Sequence, residues 1–124
     1  MIIAAERSAE VAALLARAFK HDTSGGGYTV DDAMASSHVY SMRDAAGKLR
    51  LAWAMDIRRD RKGVRAYVTA CAGEGMQQAL PECERIAREH GANRLGLRTM
   101  RPGMVKRMTE AGFVPRFVEL EKEL

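Results

Sequence analysis

The sequence has little cysteine and no cysteine pattern, which excludes two common classes of small protein. Its 124 residues include two cysteines, Cys71 and Cys83. One pair cannot form the disulfide framework of a small secreted domain, and neither cysteine lies in a CxxC or Cys/His pattern with metal-binding spacing. We therefore expect free thiols, a reducing compartment and no metal site. A chain of this length can form one domain, residues 1–124, around a single core.

The chain also lacks long apolar runs and is poor in aromatic residues. No apolar run approaches the roughly 18 residues that a membrane-spanning helix needs. Glu6, Arg7 and Glu10 interrupt the amino-terminal segment where a signal peptide would be apolar, so we expect mature sequence and no membrane contact. Only seven residues are aromatic and the net charge is +4. Without aromatic residues among the basic ones, a nucleic-acid-binding surface is not expected.

The first third of the sequence predicts a strand and two helices. Ile2 and Ile3 begin a short apolar strand. Ser8 is a helix cap, and apolar residues at helical spacing follow it as far as Phe19. The flexible run 21–27 ends that helix, and Thr29 caps a second, short helix that ends near Ser37.

Alternating apolar residues then predict three antiparallel strands. The first covers residues 38–43, the second 49–58, and the third 64–71, with a charged turn over 59–63 between the last two. Strict alternation along the third strand places four small apolar residues on one face: Val64, Ala66, Val68 and Ala70.

The remaining sequence predicts helices alternating with strands. A helix covers residues 76–90, with Pro81 expected to kink or restart it. A strand over 94–99, a helix over 102–112 and a last strand over 113–120 follow. A right-handed crossover through the first of these helices makes the strands that flank it parallel. The fold class predicted is therefore α/β, a mixed sheet in the order β-α-α-β-β-β-α-β-α-β.

The chain resembles a known family over essentially its whole length, and two segments show the resemblance most clearly. The run AREHGANRLGL (residues 87–97) and the later EAGF (residues 110–113) resemble the ends of two helices in the GNAT superfamily, the Gcn5-related N-acetyltransferases. The segment RPGMVKRM (residues 101–108) resembles GNAT-like proteins of tailed phages, some of which are internal virion proteins. The resemblance implies the GNAT fold and a site for acetyl-CoA.

The resemblance places the cofactor at the junction of the third meander strand and the helix that follows. The family pattern is Gln or Arg, two residues, Gly, one residue, then Gly or Ala. Gly73 and Gly75 match the two small positions, but Ala70 replaces the Gln or Arg, and Glu74 brings a negative charge close to the expected phosphates. The candidate cofactor-binding residues are Cys71, Ala72, Gly73, Gly75 and Met76. The alternative is that the two glycines only form a tight turn.

The resemblance also implies a general acid and, in many members, a general base. Met108 occupies the position where many members have the tyrosine that acts as general acid, and the thioether of methionine cannot donate a proton. Tyr67 is the candidate replacement and Tyr40 a second one, although a strand tyrosine commonly packs in the core. Asp56 is the candidate base, with an ion pair to Arg58 or Arg43 as the alternative. His38 is a further candidate base because imidazole titrates near neutral pH.

Two functions remain open at this point. The first is an acyl-CoA-dependent N-acetyltransferase acting on an amine substrate in the cytoplasm of a bacterial host. The second is a non-catalytic GNAT-like component of a phage virion that binds other virion subunits. In either case we expect a homo-oligomer or a member of an assembly. Binding of nucleic acid through arginines of the charged hairpin is a weaker third option.

Overall fold

The protein forms one sheet of five strands, with helices packed on both faces. A computed structural model describes residues 1–21, 26–99 and 101–124. The predicted flexible run 21–27 lies largely outside these residues. The elements are β1 (Ile2–Ala5), α1 (Ala9–Ala16), α2 (Val30–Ala35), β2 (His38–Arg43), β3 (Leu49–Asp60), β4 (Gly63–Gly73), α3 (Met76–Glu89), β5 (Arg94–Leu97) and α4 (Pro102–Glu110).

The strand order in the sheet is the order in the sequence, β1 to β5. The first four strands pair antiparallel, and β4 pairs parallel with β5 through the crossover helix α3. The predicted mixed α/β fold with one parallel strand–helix–strand unit is therefore confirmed.

The two predicted helix caps are both present. The Ser8 hydroxyl accepts a hydrogen bond from the Val11 N–H at 3.2 Å, at the start of α1. Thr29 forms a capping box at the start of α2, because its backbone N–H donates to the Asp32 carboxylate at 2.8 Å. These bonds satisfy backbone donors that a first helical turn leaves free, which fixes where each helix begins.

The sheet is buried on both faces. On one face, α3 covers a cluster centred on Trp53, which is 0% exposed. On the other face, α1 and α2 cover small strand residues, among them Ala52 and Ala54. Small residues on this second face let the helices approach the sheet closely, and this explains why β3 alternates large and small apolar side chains rather than apolar and polar ones.

One β-bulge corrects the predicted face of β4. Ala54 pairs with Ala70, whereas the next residue of β3, Met55, pairs with Val68, so Thr69 is an extra residue on β4. An extra residue reverses the alternation beyond it. Ala70 consequently packs with α1 and α2, not on the α3 face with Val68, and the prediction that they share a face is wrong.

Other elements also differ from the prediction. Helix α1 ends at Ala16, and a 3₁₀ helix (Arg17–His21) follows it where one helix to Phe19 was predicted. The β3–β4 hairpin is tighter than predicted, since Asp60 pairs with Gly63 across a two-residue turn. Helix α3 is continuous through Pro81, so it does not restart there. Strand β5 ends at Leu97 rather than at Thr99, because its pairing with β4 stops there.

The predicted last strand, residues 113–120, is wrong for this chain. These residues are described, and none of them is part of a strand. The apolar side chains that suggested a strand are uncovered, with Phe117 72% and Val118 85% exposed. Alternation alone does not make a strand, because a strand exists only where its backbone finds a partner.

Candidate functional site

Strand β4 extends beyond the end of its parallel neighbour. Its pairing with β5 stops at Val68, opposite Leu97, while its pairing with β3 continues to Gly73. The edge of β4 from Thr69 to Gly73 therefore faces no strand on the β5 side within the described chain. Helix α3 begins at Met76, directly after this edge. We call the β4 edge 69–73 and the first turn of α3 together the β4 notch.

Gly73 is required where the last residue of β4 lies beside the beginning of β3. Its φ is +111°, and a Cβ there would lie 2.2 Å from the backbone oxygen of Arg50. The neighbouring Glu74 N–H donates to that same oxygen at 2.7 Å. A side chain at position 73 would break this contact, so Gly73 has a structural role whether or not a ligand binds.

Gly75 is the amino-terminal cap residue of α3 and has a left-handed backbone, with φ of +93°. No side chain caps this helix, and its first turn contains no acidic residue. A Cβ at Gly75 would lie 2.8 Å from the terminal methyl of Met42, so the loop lies directly against the core. The uncapped amino terminus of α3 favours an anion, because its free N–H groups and the helix dipole both carry partial positive charge.

Glu74 is the one acidic residue in this loop. Its side chain is 87% exposed, and a guanidinium nitrogen of Arg50 lies 3.9 Å from its carboxylate. An exposed pair at this distance contributes at most about 1 kcal/mol. The negative charge that the sequence places near the notch is therefore screened by solvent and partly balanced by Arg50.

The two sulfur-containing candidates of the loop face the core. The Cys71 thiol lies 3.7 Å from the Met76 sulfur, and both residues pack against the core cluster around Trp53. Burial raises the pKa of Cys71 to about 12, so it is a neutral thiol and a poor nucleophile.

The structure brings the two catalytic candidates together. Asp56 on β3 and Tyr67 on β4 are direct cross-strand partners, with Tyr67 two residues before the Thr69 bulge. The Asp56 carboxylate accepts hydrogen bonds from Arg58 at 2.9 Å and from the Ser36 hydroxyl at 3.2 Å. The ion pair with Arg58, which was the alternative role for Asp56, is thus present.

Two arginine side chains lie near the ring of Tyr67. The guanidinium of Arg65 is 5.0 Å from the centre of its ring, and that of Arg58 is 5.9 Å away. Both distances are typical of cation–π contacts. These contacts hold the ring beside the parallel pair of strands, in the middle of β4 and two residues before the β4 notch begins at Thr69.

A second titratable cluster surrounds the start of β2. The ring nitrogen Nδ1 of His38 lies 3.1 Å from the Tyr40 hydroxyl, and the rings of His38 and His90 are 4.4 Å apart. Burial, followed by the charges of His90 and Arg7, lowers the pKa of His38. Burial raises the pKa of Tyr40, which is 9% exposed and stacks on Trp53.

The sequence signals this cluster only in part. Residues two apart on a strand share a face, so the pairing of His38 with Tyr40 follows from the predicted strand. His90 ends helix α3 far along the chain, and no local pattern links it to His38. A surface depression of about 240 Å³ lies here, lined by Ser37, His38, Met55, Asp56, Ile57 and Arg58. His38 and Asp56 therefore open onto one depression.

The depression and the β4 notch lie at different places on the sheet. Met55 lines the depression, and Leu51, which pairs with Gly73, lies four residues earlier on the same strand. Four residues of strand span about 13 Å. Met108 contributes to neither place through a polar atom; it is 4% exposed and packs on the inner side of α4.

Two kinds of site are not found in the described residues. Residues 1–21, 26–99 and 101–124 contain no group of three or more His, Cys, Asp or Glu side chains placed to hold a metal ion. In the same ranges, no helix combines the length and apolar character needed to cross a membrane.

Comparison with known proteins gives similarity in structure but not in sequence. No protein-family model matches the chain, and no curated protein matches it in sequence. Solved structures do match. A point mutant of the BH1408 protein from Bacillus halodurans has a TM-score of 0.73 at 10% identity, over 100% of this chain and 99% of that one.

Two further neighbours have names that give an activity. The aminoglycoside 6'-N-acetyltransferase AAC(6')-Ih from Acinetobacter baumannii has a TM-score of 0.64 at 11% identity, over 99% of this chain and 98% of its own. A proposed acetyltransferase from Pyrococcus furiosus has a TM-score of 0.60 at 21% identity, and the match covers 70% of this chain and 65% of that one.

Identities this low establish the fold alone. The named neighbours include acetyltransferases and no phage protein, so the resemblance to phage proteins gains no support from them. The five-stranded mixed sheet, its one parallel pair and these neighbours agree with one another. This chain therefore has the fold of the GNAT-type acetyltransferases.

Proposed function

We propose that the protein binds an acyl-CoA in the β4 notch and transfers the acyl group to an amine. One observation carries the proposal: within the described chain, no strand lies on the β5 side of β4 from Thr69 to Gly73, next to the uncapped amino terminus of α3. An extended amide-containing chain ending in phosphates suits such a place. The open strand edge offers backbone hydrogen bonds, and the helix terminus attracts the anionic end.

The residues of the notch fit this ligand through backbone rather than side-chain groups. Ala70 provides no charge, and the side chains of Cys71 and Met76 pack into the core. The N–H groups at the start of α3 remain without a side-chain cap. Backbone groups from Cys71 to Met76, with Gly73 and Gly75 shaping the loop, would therefore hold the ligand. When bound, it would supply an acyl thioester to the site.

Acyl transfer to an amine requires two proton movements. The amine attacks as the neutral base, so a nearby group must take a proton from it, and the departing thiolate is stabilised if an acid protonates it. Asp56 and Tyr67 are our candidates for base and acid, because they are partners across β3 and β4 and lie close to the bulge. Positioning of the two reactants supplies much of the remaining rate.

Titration calorimetry with acetyl-CoA tests the binding part of this proposal. We expect saturable binding that weakens when Gln77, exposed in the first turn of α3, is replaced in Gln77→Glu. A negative charge there would repel phosphates while leaving the helix stable, since acids are favoured in a first turn. Ala13→Glu adds the same charge at an exposed position of α1 and should leave acetyl-CoA binding unchanged. Absence of binding at millimolar acetyl-CoA would reject the proposal.

A non-catalytic GNAT-like domain is the second candidate. It is favoured by Met108, which is buried where the family resemblance places an acid and cannot donate a proton. Saturable acetyl-CoA binding without turnover of any amine in a broad substrate panel would favour it over the enzyme. The proposed role in a phage virion is a separate question, and mass spectrometry of purified particles tests it directly.

A further inference from the structure

The segment after α4 leaves several apolar side chains in solvent. Of residues 113–124, only Phe113 is partly covered. Val118 is 85% exposed and Leu120 is 89% exposed, and Phe117 before them is 72% exposed. Single exposed apolar residues are ordinary, but a run of them in one segment is typical of a surface that binds something.

The same segment has the alternation of a strand. If it is extended, Val118 and Leu120 point to one side, and Phe117, Glu119 and Glu121 point to the other. One side is thus apolar, and the other is acidic after Phe117, with a period of two residues.

The outer edge of β5 has the complementary alternation. Leu95 and Leu97 lie on the α3 face and pack against its core cluster, although both remain partly exposed. Arg94 alternates with them onto the opposite face, where it also pairs with Asp60, and the exposed Arg98 directly follows the strand. In the described chain no strand pairs with this edge, so its backbone groups are free to accept one.

The segment and the edge match in both pattern and charge. A strand added beside β5 with its acidic side toward the arginines puts its apolar side over the leucines, because both alternate with the same period. One such contact already exists within the chain: Arg98 and Glu119 are 3.4 Å apart. Yet the backbone of residues 113–124 forms no strand with β5, so a single chain leaves edge and segment both uncovered.

From this complementarity we propose that the protein is a dimer in which each copy adds residues 117–121 as a strand to the β5 edge of the other. Because every copy carries both patches, one copy can add its segment to its partner and accept the partner's segment at the same time, and this proposed reciprocal exchange closes with two-fold symmetry. It pairs both free edges, covers both apolar sides and opposes acidic to basic residues in each half. The proposal does not depend on any catalytic activity.

Sedimentation equilibrium tests the proposal with a variant that does not affect the single chain. Val118→Asp/Leu120→Asp changes two side chains that are almost fully exposed, so the fold should be unaffected. We expect the wild type to be a dimer at micromolar concentration and the variant to raise the dimer dissociation constant by about 100-fold or more. Ile2→Asp, at the opposite edge of the sheet and 66% exposed, is the matched control and should remain dimeric.

Charge exchange between two variants separates a second copy from the protein's own chain. Arg98→Glu makes the edge acidic beside an acidic segment, and Glu119→Arg/Glu121→Arg makes the segment basic beside a basic edge. Each variant alone should dimerise weakly. Their mixture should form a heterodimer, because each edge then faces a segment of opposite charge in the partner.

Three results would overturn the proposal. A wild type that stays monomeric across this range excludes the dimer. A dimer that survives Val118→Asp/Leu120→Asp places the interface elsewhere. If the protein is a monomer and Val118→Asp/Leu120→Asp lowers its unfolding free energy, the segment covers the β5 edge of its own chain.

Discussion

Arg58 contacts both candidate catalytic residues, Asp56 and Tyr67, and so joins them into one group. Its guanidinium donates to the Asp56 carboxylate at 2.9 Å and lies 5.9 Å from the centre of the Tyr67 ring. Asp56 and Tyr67 are themselves cross-strand partners. The candidate base, the candidate acid and a fixed positive charge are therefore adjacent on one side of the β3–β4 pair.

This arrangement predicts which tyrosine acts as the acid. Tyr67→Phe should lower kcat for acyl transfer by about 100-fold, because it removes the proton donor and keeps the ring and its cation–π contacts. Tyr40→Phe removes the hydroxyl that lies 3.1 Å from His38 and should change kcat far less. Steady-state kinetics on both variants measure this. The opposite ranking would assign the acid to Tyr40 and its partner His38.

The junction of β1, α1 and β2 predicts a pH dependence of stability. The hydrogen bonds that Arg43 donates to Glu6 lower the pKa of this carboxyl from 4.5 to about 2, and the hydrogen bond from Ser8 is the next largest cause. A depressed carboxyl pKa adds stability above the unfolded value, and this is lost as pH falls through the folded value. Glu6→Gln should cost about 1–2 kcal/mol near pH 7.

The difference between wild type and Glu6→Gln should therefore shrink as pH falls from about 4.5 to about 2. Urea unfolding at several pH values measures it. Glu10→Gln is the matched control, because Glu10 contacts the same arginine but its side chain is 58% exposed, against 22% for Glu6. A difference that persists unchanged at pH 2 would contradict this account of Glu6.

Gly73 and Gly103 predict opposite results for the same substitution. Gly73→Ala should lower the unfolding free energy by about 2 kcal/mol or more, since its φ is +111° and its Cβ would overlap the Arg50 oxygen. Gly103→Ala lies within α4, where the nearest atom is 3.9 Å from the new Cβ, and should be neutral or stabilising by up to about 1 kcal/mol. Urea unfolding of both variants measures the two changes in unfolding free energy. Equal changes would mean that β3 and β4 separate near Gly73.

The two native thiols should be slow to react. Burial raises the pKa of Cys71 to about 12 and that of Cys83 to about 11, so few thiolates exist near pH 8. A thiol-specific reagent should modify them mainly after unfolding in urea. Ser37→Cys, at an exposed position, supplies a thiol that should react at once in the folded protein. Fast labelling of the native protein would place Cys71 in the notch instead of the core.

Local sequence patterns predicted most of the fold. Ser8 and Thr29 mark helix starts because a cap bonds to residues only three positions away. The alternation of β3 and the charged turn after it likewise involve near neighbours. The two glycines of the loop were also identified, although the tight contact of Gly73 with Arg50 was not.

Other features depend on residues far apart in the sequence. The Thr69 bulge appears only when β4 is paired with β3, and it reverses the predicted face of Ala70. The contact of His38 with His90 joins the start of β2 to the end of α3. Neither has a local signal, so neither was predictable from spacing alone.

By itself the sequence determined the types and the order of the elements as far as α4, because helix and strand periods and caps are local properties of the chain. The tertiary structure decided where pairing stops. It ended β5 at Leu97, which leaves β4 open from Thr69, and it left residues 113–120 outside the sheet. Segments that are far apart in the sequence compete to pair with the same backbone N–H and C=O groups. Which of them pair is therefore determined only in the folded chain.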